Sequence, residues 1–190
     1  MSVRIKKEPP SGPPRLRYES FLTPRLEARA ISWDHRDEIR RLYGDPQVGA
    51  SFGGVSSAQE VDDSIERNLE HWARWGWGPW TAYDRTREGS PFVGQILLRR
   101  GEIDGVQEVE IGYALMPYYW RQGLGTESAD ALAWLGLEVL GLESVVAYTW
   151  VKNFGSWKVM EKIGMREEKR FPYLGQEHVL YRLRRKDRLK

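Results

Sequence analysis

The sequence predicts an α+β domain: one central, mixed, mostly antiparallel sheet flanked by helices. Three observations carry that expectation. Alternating segments separated by turn residues fill residues 80–116, the apolar period changes to three and four after Gly123, and a strand, helix, strand, strand succession closes the chain. At 190 residues and 41% apolar side chains the chain can bury one sizeable core but not two ordinary ones, so one domain is expected.

"KKEPPSGPPR" puts four prolines and a glycine into ten residues, which excludes helix and central strand and marks residues 1–20 as a flexible leader. A single domain then runs over 21–184, and 185–190 form a basic tail. "LEARAI" (26–31) alternates as a strand. Residues 33–43 place Ile39, Leu42 and Tyr43 on one helical face, with Asp34 as the candidate cap. Residues 58–75 repeat the pattern through Val61, Ile65, Leu69 and Trp72 until "GWGPW" stops it. Strands are expected over 80–83, 92–98 and 107–116, joined by the hairpin-turn compositions "REGSP" and "RGEIDG". Ala129, Leu132, Ala133, Gly136 and Leu140 trace a helix from Gly123 that Gly141 closes. Strand 144–150, helix 155–163 and strands 165–170 and 177–183 complete the succession.

Composition removes several chemistries. With no cysteine there is no disulfide, thiolate metal site or cysteine nucleophile. His35, His71 and His178 lack ligand spacing, so no metal is expected and none is read as catalytic. The N-terminus has no apolar run and no window reaches membrane-spanning length, which points to a cytoplasmic protein with no membrane partner. Residues 182–190 carry six basic side chains and one acidic, while 9–181 are net acidic; such a tail simply solvates a chain end, and nucleic acid is not the expected partner. Trp72, Trp75, Trp77 and Trp80 suit a core and a homodimer interface, or alternatively an aromatic wall beside an acceptor cleft.

"YYWRQGLGTES" (118–128) places a basic residue and two glycines directly before a helix. Bare backbone lets a ligand approach, and the helix start leaves N–H groups unpaired at the positive end of its dipole, so the loop suits a phosphate or serves only as a tight turn. A nucleoside-triphosphate loop would need a lysine that is missing here, and a dinucleotide fingerprint would need glycine where Ser128 stands.

The stretch from Glu108 to Met165 resembles the acetyl-CoA-binding half of the GNAT N-acetyltransferases, most closely their RimJ/RimL-type branch. The resemblance rests on Gly112, Tyr113, Pro117, Tyr119, Trp120, Gly123, Gly125, Thr126 and Glu127, then on Asn153, Ser156, Lys162, Gly164 and Met165, with "TPRLEAR" and "HVLYRL" matching the branch's first and last strands. Trp120 stands where the general signature has Arg or Gln, as is common in this branch, and Arg121 stands where the branch usually has glycine.

That resemblance implies a GNAT-like sheet and transfer of an acetyl or other short acyl group from CoA to a primary amine, of a protein N-terminus or a small molecule, by direct attack in a ternary complex. The alternative is a CoA-sensing or partner-binding module without turnover. It implies cofactor contacts from Leu115, Met116 and Pro117 to the pantetheine, from Arg121, Gln122, Gly123, Leu124, Gly125 and Thr126 to the pyrophosphate, and from Asn153 and Ser156 near the arm and sulfur. Strand alternation puts Glu108 and Glu110 on one face of their strand. Related enzymes often draw their base from this strand, so Glu110 is the first candidate and Glu108 the second. Ser156, Tyr148 or Tyr173 is the candidate donor to the departing thiolate.

Overall fold

The computed structural model of this protein describes residues 18–188. Its strands are β1 (Ser20–Leu22), β2 (Leu26–Ala30), β3 (Pro79–Asp84), β4 (Phe92–Ile103), β5 (Val106–Leu115), β6 (Ser144–Trp150), β7 (Arg166–Tyr173) and β8 (Gln176–Arg184). They form one sheet in the order β1-β2-β3-β4-β5-β6-β8-β7. Every neighbouring pair is antiparallel except β5 and β6, which run parallel and are in register only at Glu110 and Val146. The expected mixed, mostly antiparallel sheet is therefore present.

Helices α1 (Arg36–Tyr43), α2 (Pro46–Gly49), α3 (Ala58–Trp75), α4 (Leu124–Trp134), α5 (Phe154–Lys162) and α6 (Arg185–Arg188) surround it. Leu42 of α1 packs with Ala114 on one sheet face, whereas Gly125 of α4 lies against Tyr113 on the other. The core between these layers buries Leu26, Ile65, Trp80, Ile96, Leu98 and Leu132 completely, each such side chain contributing roughly 1.5–3 kcal/mol.

Local chemistry explains the boundaries. Ser32, not Asp34, caps the first helical segment: its hydroxyl accepts from the Asp34 N–H, a 3₁₀ turn spans Trp33–His35, and α1 starts only at Arg36. Ser57 and Glu60 form a reciprocal capping box at the start of α3, and Gly76 ends that helix at φ 76°. Asp104 and Gly105, both at positive φ, make the β4–β5 turn, which lets β4 run to Ile103 instead of stopping at 98.

Residues 1–17 of the expected leader and 189–190 of the tail lie outside the described residues. Tyr18 already belongs to the fold, its N–H donating to the Gly76 carbonyl at 3.2 Å and its carbonyl accepting from the Trp80 indole at 2.9 Å. Ser20 opens β1, and at three residues that strand is too short for alternation to reveal. The first tail residues form α6, where Arg188 pairs with Asp130 of α4 at 3.0 Å instead of simply solvating the end.

Trp72, Trp77 and Trp80 are core. Trp80 and Trp72 meet edge to face at 5.4 Å, Trp72 donates to the Pro79 carbonyl, and Trp77 is buried against His71. Trp75 is half-buried beneath the Arg100 guanidinium, so these four side chains anchor α3 to β3 and β4.

His71 joins the same elements. The Arg100 N–H donates to Nε2 at 3.0 Å, which puts the ring proton on Nδ1, 2.9 Å from the Trp77 carbonyl. Burial pushes its pKa down to about 4, against the smaller opposing effect of the Trp77 carbonyl. The unfolded chain, with histidine near 6.5, binds this proton first as pH falls. His71 thus contributes stability that is complete above about pH 6.5 and lost toward pH 4. Urea unfolding at pH 7 and pH 5 should show a drop in stability that shrinks in His71→Gln.

Candidate active site

The single registered pair between β5 and β6 creates the site. Beyond Glu110 and Val146 the strands part, with β5 staying on β4 and β6 on β8. The Met116 N–H donates to the Val93 carbonyl at 2.9 Å, which assigns the even-numbered main-chain groups of this part of β5 to β4. Alternation then turns the Leu115 N–H and the Tyr113 peptide groups into the opening. The Leu115 carbonyl is satisfied by the Trp120 indole at 2.7 Å. Met116, expected among the ligand-binding amides, has its N–H occupied, and Leu115 holds the free one.

After a 3₁₀ turn at Pro117–Tyr119, the loop enters α4 through Gly123 at φ 81°, with no side chain capping the helix. Its first N–H groups thus remain unpaired within the helix. Gly125 has a different cause: a Cβ there would stand 3.1 Å from the Tyr113 ring, so the glycine lets α4 pack onto β5. Arg121 occupies the left-handed region at φ 59°, where glycine is unstrained and a side chain is not.

An ion-paired cradle that the sequence reading did not assign fixes this loop. Glu127 accepts from the Thr23 hydroxyl at 2.5 Å, the Arg25 N–H at 2.8 Å and Arg25 Nε at 2.7 Å, while Arg25 Nη1 donates to the Gln122 carbonyl at 2.8 Å. Burial raises the Glu127 pKa, but these donors outweigh it and hold the carboxyl below its ordinary value. The pairing of "TPR" with the Thr-Glu after the loop was visible only as two halves of a resemblance.

Glu110 sits at the closed end of the opening. Its side chain is 15% exposed and accepts from Arg99 at 3.0 Å. Burial pushes its pKa up, opposed by Arg99. One carboxylate oxygen lies over Gly112, where a Cβ would come within 3.4 Å of it and within 3.2 Å of Leu97, so Gly112 leaves room for the carboxylate along the strand. Arg99 faces Glu110 in the β4–β5 register, a signal available once the hairpin is placed. Tyr43 donates to Gln95 at 2.7 Å on the same face, its phenol pushed up to about 12 by burial.

Glu108 is placed differently. Arg182 grips it through two bonds of 2.5 and 3.0 Å and also holds Glu168 and Ser144. Such a carboxylate is committed to an ion pair across β6 and is poorly suited to take a proton.

Tyr148 follows Val146 on the Glu110 face and meets the Tyr173 ring edge to face at 5.5 Å. Burial raises its pKa, with Glu110 and Tyr173 adding to the effect. Asn153 caps α5: its Oδ1 accepts from the Ser156 N–H at 3.3 Å, a bond that does not use Nδ2. Ser156 lies in the first turn of α5. Among the described residues no group of His, Asp and Glu gathers to hold a metal, and no helix is long and apolar enough to cross a membrane.

The sequence matches the family described as acetyltransferase (GNAT) domain over residues 25–166. The chain belongs to the GNAT acetyltransferase family. It is 31% identical to the N-acetyltransferase YoaA of Bacillus subtilis over 132 residues, 70% of this chain and 69% of that protein. Another Bacillus subtilis N-acetyltransferase matches at 36% over 64 residues, which spans only 38% of that protein. An acetyltransferase from Agrobacterium tumefaciens superposes with a TM-score of 0.74 at 22% identity, covering 96% of this chain and 99% of that one. RimL, the ribosomal L7/L12 α-N-protein acetyltransferase, solved in complex with CoA, superposes at 0.69 with 19% identity over 85% and 95% of the two chains. At these identities the structures establish a shared fold.

Arg121 is one of four non-glycine residues at positive φ among the described residues, with Ser90, Asp104 and Leu174. Arg121→Gly should raise the unfolding free energy by about 0.5–1 kcal/mol in urea titrations. A simultaneous fall in CoA affinity would show that the guanidinium reaches the ligand.

Proposed function

We propose that this protein transfers an acetyl, or another short acyl, group from CoA to the primary amine of a protein N-terminus or a small molecule by direct attack, with both substrates bound together. The observation that carries the reading is the opening beyond the Glu110–Val146 pair, which has a buried carboxylate at its closed end and the uncapped start of α4 beside it.

The residues present fit CoA. The N–H groups of Gly123, Leu124, Gly125 and Thr126 would meet its pyrophosphate at the positive end of α4, with Gln122 contributing main chain and Arg121 a charge from the rim. The Leu115 N–H and the Tyr113 carbonyl would pair with the pantetheine amides as a neighbouring strand does, closed by Pro117 at one end and by Asn153 Nδ2 across the opening. CoA bound in this way supplies the activated thioester. A primary amine near the ordinary lysine pKa is mostly protonated at neutral pH. Glu110 removes its proton, directly or through one water, and Arg99 holds the carboxylate in place. As the N–C bond forms and the C–S bond breaks, the electron pair leaves on sulfur, toward the side where Ser156 stands, and the second proton, shed by nitrogen as it becomes an amide, passes through solvent to that thiolate.

Titration calorimetry with acetyl-CoA tests the binding half of this reading. Gly123→Glu, which forces a side chain onto a left-handed position and brings a negative charge to the pyrophosphate loop, should abolish binding. Glu110→Gln should keep wild-type CoA affinity while turnover with an accepted amine falls about 100-fold or more. Unchanged turnover would remove Glu110 from the chemistry, and CoA binding with no turnover across amines of both classes would favour the sensing module.

A further inference from the structure

Arg25 stands 97 residues before Gln122 in the chain, yet its guanidinium lies on the loop that opens α4. Nη1 donates to the Gln122 carbonyl at 2.8 Å, Nε donates to Glu127 at 2.7 Å, and Nη2 is 3.4 Å from where a Cβ on Gly123 would stand. The main chain beneath is pinned on both sides. The Arg25 N–H donates to Glu127 at 2.8 Å, and the Arg25 carbonyl accepts from the Arg85 N–H at 3.0 Å. An exposed ion pair adds little stability by itself, but one built on a fixed backbone aims Nη1 in a single direction. The bond to Gln122 also sets the next N–H. The Gln122–Gly123 peptide is trans and planar, with its carbonyl and N–H on opposite sides. Holding that carbonyl toward Arg25 turns the Gly123 N–H away from the Arg25–Glu127 pair, and this N–H has no hydrogen-bond partner among the described residues. Because glycine accepts φ of either sign, the peptide could turn over at little steric cost. Turned over, it would offer an anion a carbonyl oxygen in place of a donor.

We propose that Arg25 is a positioning residue for the cofactor: by holding the Gln122 carbonyl aside it presents the Gly123 N–H to the CoA pyrophosphate before the ligand arrives, and Glu127 is the anchor that keeps the guanidinium in place. The inference rests on the reading given above that the pyrophosphate sits at the start of α4. It gives Glu127 a part opposite to the one its charge alone would give. Glu127 lies in the first turn of α4, where a carboxylate repels an incoming anion. On charge alone, removing it would tighten CoA binding. As the anchor of Arg25, it is needed for that binding. Its two oxygens are engaged on the Arg25 side, one by the Thr23 hydroxyl and the Arg25 N–H and the other by Nε, so the carboxylate and the presented donor face different ways.

The test is a titration of the full, isotope-labelled chain with CoA and needs no knowledge of the acceptor. Calorimetry gives the affinity, while the amide resonances of Gly123 and Leu115 report the pyrophosphate and pantetheine ends separately. In the wild type both resonances should move on binding. Arg25→Ala should weaken CoA about 10- to 100-fold, the factor that accompanies one hydrogen bond to a charged group. At saturation its Gly123 amide should fall short of the wild-type bound position while Leu115 reaches it, a split that general damage to the fold would not produce. Arg25→Lys keeps the charge but not the fork that spans Glu127 and Gln122, so it should stay nearly as weak as Arg25→Ala. Glu127→Gln should also weaken CoA, although it removes a negative charge from an anion site. These two variants keep side-chain length and carry the test by themselves where Arg25→Ala disturbs the fold. Wild-type affinity in Arg25→Lys, or binding in Glu127→Gln as tight as the wild type or tighter, overturns the role of Arg25 and leaves the pyrophosphate site standing. A wild-type protein that binds no CoA, or binds it with the Gly123 amide unmoved, overturns the reading of that site and this inference with it.

Discussion

A parallel pair of strands that stays in register for one residue is the constraint on which the rest depends. Parallel neighbours normally share a ladder, and ending it after Glu110 and Val146 leaves main-chain groups of β5 without a strand partner. Something must hold the closed end while the open end diverges. Arg182 does so: from β8 it reaches over β6 to grip Glu108 on β5, Glu168 on β7 and Ser144 at the start of β6. With side chains only 13% exposed on both Arg182 and Glu108, removing Arg182 would leave the Glu108 carboxylate largely buried and without its partner, a loss of about 3–5 kcal/mol. The Asp104–Lys169 pair adds a second, exposed tie from the β4–β5 turn to β7 at 2.6 Å.

Glycines in this region answer to particular neighbours. Gly112 makes room for Leu97 and the Glu110 carboxylate, Gly125 for Tyr113, and Gly123 for a backbone turn. Viewed along the chain, Gly112, Gly123 and Gly125 look like one flexible, ligand-directed set. In space only Gly123 serves the entry to the helix directly, while the other two make room for side chains of β4 and β5.

Much of this was legible in the sequence, and what was not has identifiable causes. Alternation in "QEVEIGYALM" correctly separated the core face from the carboxylate face, and the change of period at Gly123 located α4. Alternation could not rank Glu110 above Glu108, because what distinguishes them is the partner across the sheet, Arg99 for one and Arg182 for the other. β1 and α2, at three and four residues, are shorter than any period. The tryptophan cluster was expected to suit a core or to line a cleft, and the choice turned on which face of β3 Trp80 occupies. The Thr23–Arg25–Glu127 cradle spans about a hundred residues of chain and follows from no local pattern.

The helix that begins at the loop does not end as it began. After Trp134 the turns widen to a π-helical stretch over Leu135–Val139, with the Leu140 N–H reaching back five residues to Leu135 at 2.9 Å. Each widened turn slips the phase of all that follows, which is why Leu137 is wholly buried while Leu140, in step with a regular helix, is only half-buried. The front of the helix is therefore set by Tyr113 and the loop, and the rear by Val145, whose side chain a Cβ on Gly136 would crowd at 3.0 Å. The two ends keep separate time. Insertions or deletions in this segment would act as a clutch, rotating the rear half on β6 while the amides at the front hold their bearing.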